Sequence, residues 1–394
     1  MNDPIVIVSA ARTPMGDLQG ALKSMSTPQL GAATIHAAME RAGFSGDSVD
    51  EVYMGCVLSA GIGQAPARQA ALGAGLPESV ACTTVSKVCG SGLKSVMLAY
   101  DAIVAGSANI VLAGGMESMS NAPHLLPKAR DGYRLGNAEI VDHMFLDGLQ
   151  DAYDKGKLMG VFAETCAQHY QFTRDAQDAF AVRSLERAKK AAADGSFARE
   201  IVPITVKNKK GDTEITIDEH PQKVDIARIP TLKPAFAKDG TVTAANASSI
   251  SDGAAALILM RASEAEKRGL KPLAHVVGHS SHAQSPAWFA TAPIGALNKL
   301  SEKIGWTLKD VDLFEINEAF AVVTMAAMRD LDILHDKMNV HGGACALGHP
   351  IGASGARILV TLLSALEKYD LKRGVASLCI GGGEAVAMAV ERMT

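Results

Sequence analysis

Four side chains in this 394-residue chain have the types and settings that nucleophilic and carbon-acid chemistry needs. Cys89 stands between Val88 and Gly90 in the stretch Ser-Lys-Val-Cys-Gly-Ser-Gly-Leu from Ser86 to Leu93. Behind it Leu93, Val96, Met97, Tyr100, Ile103 and Val104 fall at helical spacing, so the thiol is expected at the N-terminus of a buried helix. Unpaired N–H groups and the helix dipole there favour a thiolate, and the spacing predicts a cysteine pKa lowered toward neutrality. His349 sits in a second glycine-rich loop, Gly342 to Gly355, that also enters an apolar helix. A thiol and an imidazole on apposed helix starts form the pair that activates a nucleophile. Cys379 ends what reads as the last strand, just ahead of Gly381, Gly382 and Gly383. Strand ends are where open α/β sheets hold ligands. A second thiol there can exchange a proton with a carbon acid, while the amide of Gly381 donates to an oxyanion. Asn317 follows the strand-like Leu313–Ile316, and its amide can hold a water or a carbonyl oxygen; the plainer alternative is a helix N-cap. Cys56, Cys82, Cys166 and Cys345 have small or apolar neighbours and read as core.

These residues need a scaffold of alternating strands and helices. Residues 5–9 are a β-branched run suited to a strand buried on both faces. Thr27 to Ala42 reads as a helix with Pro28 in its first turn, Ser48 to Gly55 as a strand, and Gln64 to Ala74 as a helix. The strand 109–113 is expected to end in a turn at Gly114, Gly115, Met116 and Glu117. From 118 to 249 the texture turns polar and loop-rich, with a helix opened by Thr173 and a hairpin whose basic tip runs from Lys207 to Asp212. After Asp252 the alternation resumes. Val49–Met54 resembles Val311–Ile316, and Ile110–Glu117 resembles Ser377–Glu384, at a separation of roughly 260 residues. The chain therefore reads as an α/β protein of two similar halves: 1–117 with a return at 250–271, and 272–394, the segment 118–249 being inserted into the first.

Composition narrows the function. A net charge of −4 gives no general attraction to nucleic acid or anionic membranes, so an anionic ligand must meet a local basic patch. Six cysteines without paired spacing, and no signal-like start, point to a reducing, cytoplasmic setting. No run approaches the ~20 apolar residues of a membrane span. Cys345 with His349, and His279 with His282, lack the second pair that a zinc site needs, and no metal is expected. No dinucleotide or phosphate-loop glycine pattern occurs.

Four stretches together resemble the thiolase family: Cys-Gly-Ser-Gly-Leu at 89–93, Asn-Glu-Ala-Phe at 317–320, Gly-His-Pro-Ile-Gly-Ala-Ser-Gly at 348–355 and Cys-Ile-Gly-Gly-Gly at 379–383. The resemblance covers essentially the whole chain. It implies a five-layer αβαβα core of two duplicated halves with an inserted loop domain, and a homo-oligomer, a tetramer built as a dimer of dimers. It implies a ping-pong reaction of coenzyme A thioesters, which come and go as substrates, with no permanently bound cofactor. Two acetyl-CoA would give acetoacetyl-CoA and CoA through an acyl-Cys89, with His349 as base for Cys89, Cys379 as base for the second substrate, and Asn317 and Gly381 in two oxyanion holes. Met159 before Gly160 is similar to the short-chain, biosynthetic branch; a degradative 3-ketoacyl-CoA thiolase of broader chain length is the alternative. Leu149, Ala244, Ser248 and Phe320 match positions lining the pantetheine channel. The arginine that commonly stacks on adenine is missing near Pro221, leaving Lys223 or Arg228 as substitutes. A fatty-acid condensing enzyme would need two histidines, and a Cys–His hydrolase would leave Cys379 idle.

Overall fold

The structure, a computed structural model, describes residues 3–43, 45–207, 209 and 211–393. The strands that matter to the site are β1 (Ile5–Arg12), β2 (Glu51–Gly55), β3 (Ala81–Val85), β4 (Ile110–Ser118), β5 (Ser251–Arg261), β6 (Ala274–Ala283), β7 (Leu313–Ile316), β8 (Arg373–Ile380) and β9 (Glu384–Arg392). The helices are α1 (Thr27–Ala42), α2 (Pro66–Gly73), α3 (Ser91–Ala105), α4 (Met159–Tyr170), α5 (Arg174–Ala193), α6 (Ala292–Ile304), α7 (Ala321–Asp330) and α8 (Ser354–Lys368). The strands run β7-β8-β9-β6-β1-β5-β4-β2-β3. In one half β2 lies parallel to β3 and β4, and β5 is antiparallel to β4 and β1. In the other, β7 is parallel to β8, with Met338 bridging Phe314 on its outer side, and β9 is antiparallel to β8 and β6. The two patterns repeat each other, and they join where β1 meets β6 at Val6 and His275.

Alternation along the strands sorts the side chains into layers. On β5, Ala255, Leu257 and Leu259 face a core shared with α3 and α8, while Ala254, Ala256, Ile258 and Met260 face α1 and α2. On β9, Val386, Met388 and Val390 face the same shared core, and Ala385, Ala387 and Ala389 face α6. The result is helix, sheet, helix, sheet, helix, with α3 and α8 as the middle layer. Both halves therefore contribute to one central core, which sets the two helix starts side by side.

The structure corrects several expectations. Gly114 to Glu117 make no turn; they continue β4 to Ser118, paired with β5, because the bare glycine at 115 lets the backbone at Gly352 come against the strand. β8 is not the last strand, since Gly382 and Gly383, with φ of 93° and 85°, turn the chain back into β9. Between β4 and β5, Thr173 caps α5 as its sequence suggests, its hydroxyl accepting from Ala176 N–H at 3.1 Å. The basic hairpin has strands Ile204–Val206 and Thr213–Ile215; Asn208 and Lys210 of its tip lie outside the described residues. Among the described residues one stretch, Val88–Ala105, is long and apolar enough by composition to cross a membrane. It is the helix of the Cys89 turn, and Leu93, Val96, Met97 and Ile103 are spent on the central core.

Candidate active site

β3 delivers the chain to Cys89 through a strained turn. Val88 has φ +46°, a conformation a β-branched residue adopts only when its surroundings force it. Ser91 fastens the turn: its hydroxyl accepts from Lys87 N–H at 2.8 Å and donates to the Val88 carbonyl at 2.7 Å. Lys87 in turn pairs with Glu384 at the β8–β9 turn. At Gly90 the bare backbone leaves room for the end of the Ile380 side chain, which a Cβ there would have to displace. These contacts press the end of β8 onto the cysteine turn. The backbone N–H groups of Gly381 and of Cys89 itself accordingly favour charge on the Cys89 sulfur, and Cys379 lies near enough for charges on the two sulfurs to repel.

The expected depression of the Cys89 pKa does not occur. Enclosure pushes the thiol up to about 11, and the two backbone donors offset only part of that. Cys379, fully buried, is raised well above the ordinary thiol value, first by burial and then by Cys89. Both thiols therefore rest neutral, and a thiolate must be made during the reaction.

His349 precedes α8, its N–H donating to the Ser249 carbonyl at 3.0 Å. Its Nδ1 lies 2.5 Å from the Ser354 hydroxyl, whose own hydrogen goes to the Pro350 carbonyl at 3.0 Å. The hydroxyl must then accept from Nδ1–H, which leaves Nε2 with a free lone pair and, among the described residues, no partner. Burial holds the imidazole down to about 4, so it rests as a neutral base. Ser354 and Ser91 open the two middle helices, but His349 stands five residues before its serine and Cys89 only two. The histidine is not the cysteine's strict counterpart in the repeat, as the glycine-rich loops suggested. By that offset the counterpart of Cys89 is Gly352, while Ile351 joins Leu58 in the cluster against which Cys89 and Leu149 pack.

Asn317 is not an N-cap. Helix α7 begins at Ala321 behind Phe320, and Asn317 is 1% exposed with both side-chain atoms unpartnered. Its backbone N–H donates to Ser377 on β8 at 3.0 Å, which registers it two residues from Cys379. A buried amide and a buried imidazole nitrogen without partners are what a water or a ligand carbonyl would satisfy.

Of the residues expected along a pantetheine channel, Met159 and Phe320 pack with Cys379, and Leu149 packs with Cys89. Ser248 spends its hydroxyl on the Ala319 carbonyl at 3.0 Å, holding the loop after Asn317. Ala244 and Arg228 are exposed, and the Lys223 ammonium is engaged by Glu219 at 2.5 Å and Asp17 at 3.2 Å. Sequence reasoning passed over Val88, Ser354 and Glu318. A serine five residues beyond the histidine was the only local signal, and backbone strain leaves none.

A duplicated five-layer fold that gathers two thiols, a neutral imidazole and an unpartnered amide where strands end and the middle helices begin is the architecture of thiolases. The family description "Thiolase, N-terminal domain" matches residues 5–263, and "Thiolase, C-terminal domain" matches 270–392. The chain belongs to the thiolase family. It is 52% identical to an acetyl-CoA acetyltransferase of Cupriavidus necator, over 98% of this chain and 99% of that one. The crystal structure of the Bacillus anthracis acetyl-CoA acetyltransferase superposes with a TM-score of 0.97 at 41% identity, over 99% of both chains. A thiolase from Ascaris suum, solved in complex with coenzyme A, gives 0.93 at 39% identity, over 99% of this chain and 100% of that one.

Proposed function

We propose that this protein is an acetyl-CoA C-acetyltransferase, joining two acetyl-CoA into acetoacetyl-CoA and CoA and running the reverse thiolysis. The observation that carries this reading is that the end of β8, which carries Cys379, seats against the Cys89 turn: a Cβ on Gly381 would stand 3.7 Å from Val88, and one on Gly90 would meet the Ile380 side chain. A hydrolase needs one thiol; joining two acetyl units needs a covalent carrier and a separate carbon base.

In the first half-reaction His349 Nε2 takes the Cys89 proton as the sulfur attacks the acetyl-CoA carbonyl. The oxyanion that develops is met by the N–H groups of Cys89 and Gly381, a type of contact worth about 10²- to 10³-fold in rate when one donor is lost. The C–S bond to CoA breaks, Cys379 gives its proton to the departing CoA sulfur, and Cys379 is left as a thiolate. In the second, Cys379 takes a methyl proton from a new acetyl-CoA. The enolate oxygen is held by His349, now protonated, and by a water on Asn317. The carbanion attacks the acetyl group on Cys89, the new C–C bond forms, and the departing Cys89 sulfur recovers its proton from His349. A half-buried Cys89 and a buried Cys379 suit this order, because neither needs to be ionised at rest.

Met159 supports the short-chain reading, since its sulfur comes within 3.8 Å of where a Cβ on Gly381 would stand. The active form is proposed to be a tetramer built as a dimer of dimers. The edge strand β3 is partly exposed, and the segment between the short strands His124–Leu125 and Val141–Asp142 carries Leu135 at 99% exposure and Ile140 at 67%. The six unpaired cysteines fit a reducing, cytoplasmic compartment.

The test is release of acetyl-CoA from acetoacetyl-CoA plus CoA. Cys89→Ala should abolish acyl-enzyme formation, and Cys379→Ser should acetylate but fail to condense. A Cys379→Ser variant that turns over like wild type removes the proposed base. Faster turnover of medium-chain than of short-chain ketoacyl-CoA would favour the degradative alternative.

A further inference from the structure

Asn317 and His349 come from different elements, and neither holds its own position through its functional atoms. The group between them is the neighbouring residue, Glu318, 1% exposed. Its Oε2 accepts from the Ser184 hydroxyl at 2.7 Å and from the Cys345 N–H at 3.1 Å, and its Oε1 accepts from Asn339 Nδ2 at 2.8 Å. Asn339, itself at φ +45°, also donates to the Ile316 carbonyl and accepts from the Ile316 N–H, both at 2.9 Å. Its side-chain amide thus acts as a strand edge for the end of β7, one residue before Asn317. Ser184, on α5 of the inserted segment, accepts from the Gly343 N–H at 2.8 Å. Gly343 has to be glycine, because a Cβ there would overlap the Glu318 carboxylate. Gly343 and Cys345 open the short segment that leads into His349. One carboxylate therefore ties the loop carrying Asn317 to the loop carrying His349, with a helix of the insertion as the third anchor.

We propose that Glu318 is the positioning residue that sets the separation between Asn317 and His349, the two sides of the enolate-stabilising site. This rests on the acetyltransferase reading above. All three partners of the carboxylate are donors, so the site fits an ionised carboxylate and no isostere. A glutamine would turn its NH₂ either toward the Asn339 NH₂ or toward the Ser184 and Cys345 donors, and one tether must open. The opened tether lets one of the two loops shift relative to the other. A displacement near 1 Å at a reacting centre costs on the order of 10²-fold in rate.

The experiment compares Glu318→Gln, Asn317→Ala and the double variant, alongside Ser184→Ala as a milder change on α5. For each, the exchange of acetyl-CoA methyl protons with solvent and the condensation rate are measured beside the wild type, with the urea midpoint as a check on folding. Glu318→Gln should lose about 10- to 100-fold in both rates. Ser184→Ala should lose less, in the same direction. In the Asn317→Ala background Glu318→Gln should cost distinctly less than it does in the wild type, because the amide side of the geometry it protects is already gone. A merely structural role lowers the active fraction by the same factor in either background, so losses that multiply overturn the proposal. So does a Glu318→Gln enzyme with wild-type exchange, or, if that variant fails to fold, a Ser184→Ala enzyme with wild-type exchange. A wild type that neither acetylates Cys89 nor exchanges the protons instead overturns the acetyltransferase reading itself.

Discussion

Gly92 and Gly355 touch where α3 and α8 cross: a Cβ on Gly92 would stand 2.7 Å from Ala356 N, and one on Gly355 would overlap Leu93 N. The contact is reciprocal, each glycine receiving the backbone just beyond the other. It is what brings the helix behind Cys89 against the helix behind His349. Replacing either glycine by alanine should force the helices apart, costing about 1–3 kcal/mol as overpacked cores do. The loss in acylation rate should exceed what the unfolded fraction explains, because both starts of the middle layer move. Urea midpoints and the acetylation burst measure the two effects separately; an alanine variant with a wild-type burst would show that the crossing does not position the pair.

The pH behaviour of Cys89 should be that of a neutral thiol. With the sulfur pushed up to about 11 and the imidazole held near 4, the thiolate fraction at pH 7 is small and grows with pH. The rate of iodoacetamide labelling at Cys89 should climb steadily from pH 7 to 10. A plateau reached by pH 7 would mean a resting thiolate–imidazolium pair.

Ser354 should matter through the histidine alone. Ser354→Ala removes the acceptor for Nδ1–H and leaves a buried donor unpaired, costing about 1–3 kcal/mol of stability. It also frees the ring to take the other tautomer, with its proton on Nε2. The acetylation burst should slow by up to about 10²-fold, and Ser354→Thr should recover most of it. If threonine fares no better than alanine, the hydroxyl is not what sets the tautomer.

Glu315 sets a pH dependence of stability. It is buried on β7 with both oxygens unpartnered and the Arg357 guanidinium 3.7 Å away, and burial pushes its carboxyl up to about 8 despite that cation. Between the ordinary value of 4.5 and about 8 the folded chain holds a proton that the unfolded chain releases. The unfolded state binds fewer protons in that window, so this group's contribution to stability falls as pH rises through it. Urea midpoints at pH 5.5 and 8.5 should draw apart in the wild type and lie closer together in Glu315→Gln. Equal gaps in both proteins would mean that Glu315 does not change ionisation there.

The chemistry-bearing residues were legible because each sits in a local pattern only a few residues long. Cys89 announces itself by a glycine-flanked turn before a helical stripe, and Thr173 by a cap before a polar-faced helix. The duplicated α/β order was legible because period and turn residues are written along the chain. The repeat's detail was not: Gly114 and Gly115 read as a turn, and only the backbone packed at Gly352 explains them as strand.

Residue types and spacing by themselves determined a thiol and an imidazole at helix starts, and a thiol and an amide at strand ends, of a duplicated α/β chain. Only tertiary structure decided their states. The helix start that should have ionised Cys89 is overruled by enclosure, and desolvation depends on atoms brought from far along the chain. The same holds for Lys223, whose charge reads as free in sequence and is taken by Asp17, and for Glu318, whose three donors come from three separate segments. Burial and hydrogen-bond partnership are properties of neighbourhood, and neighbourhood is fixed by the fold.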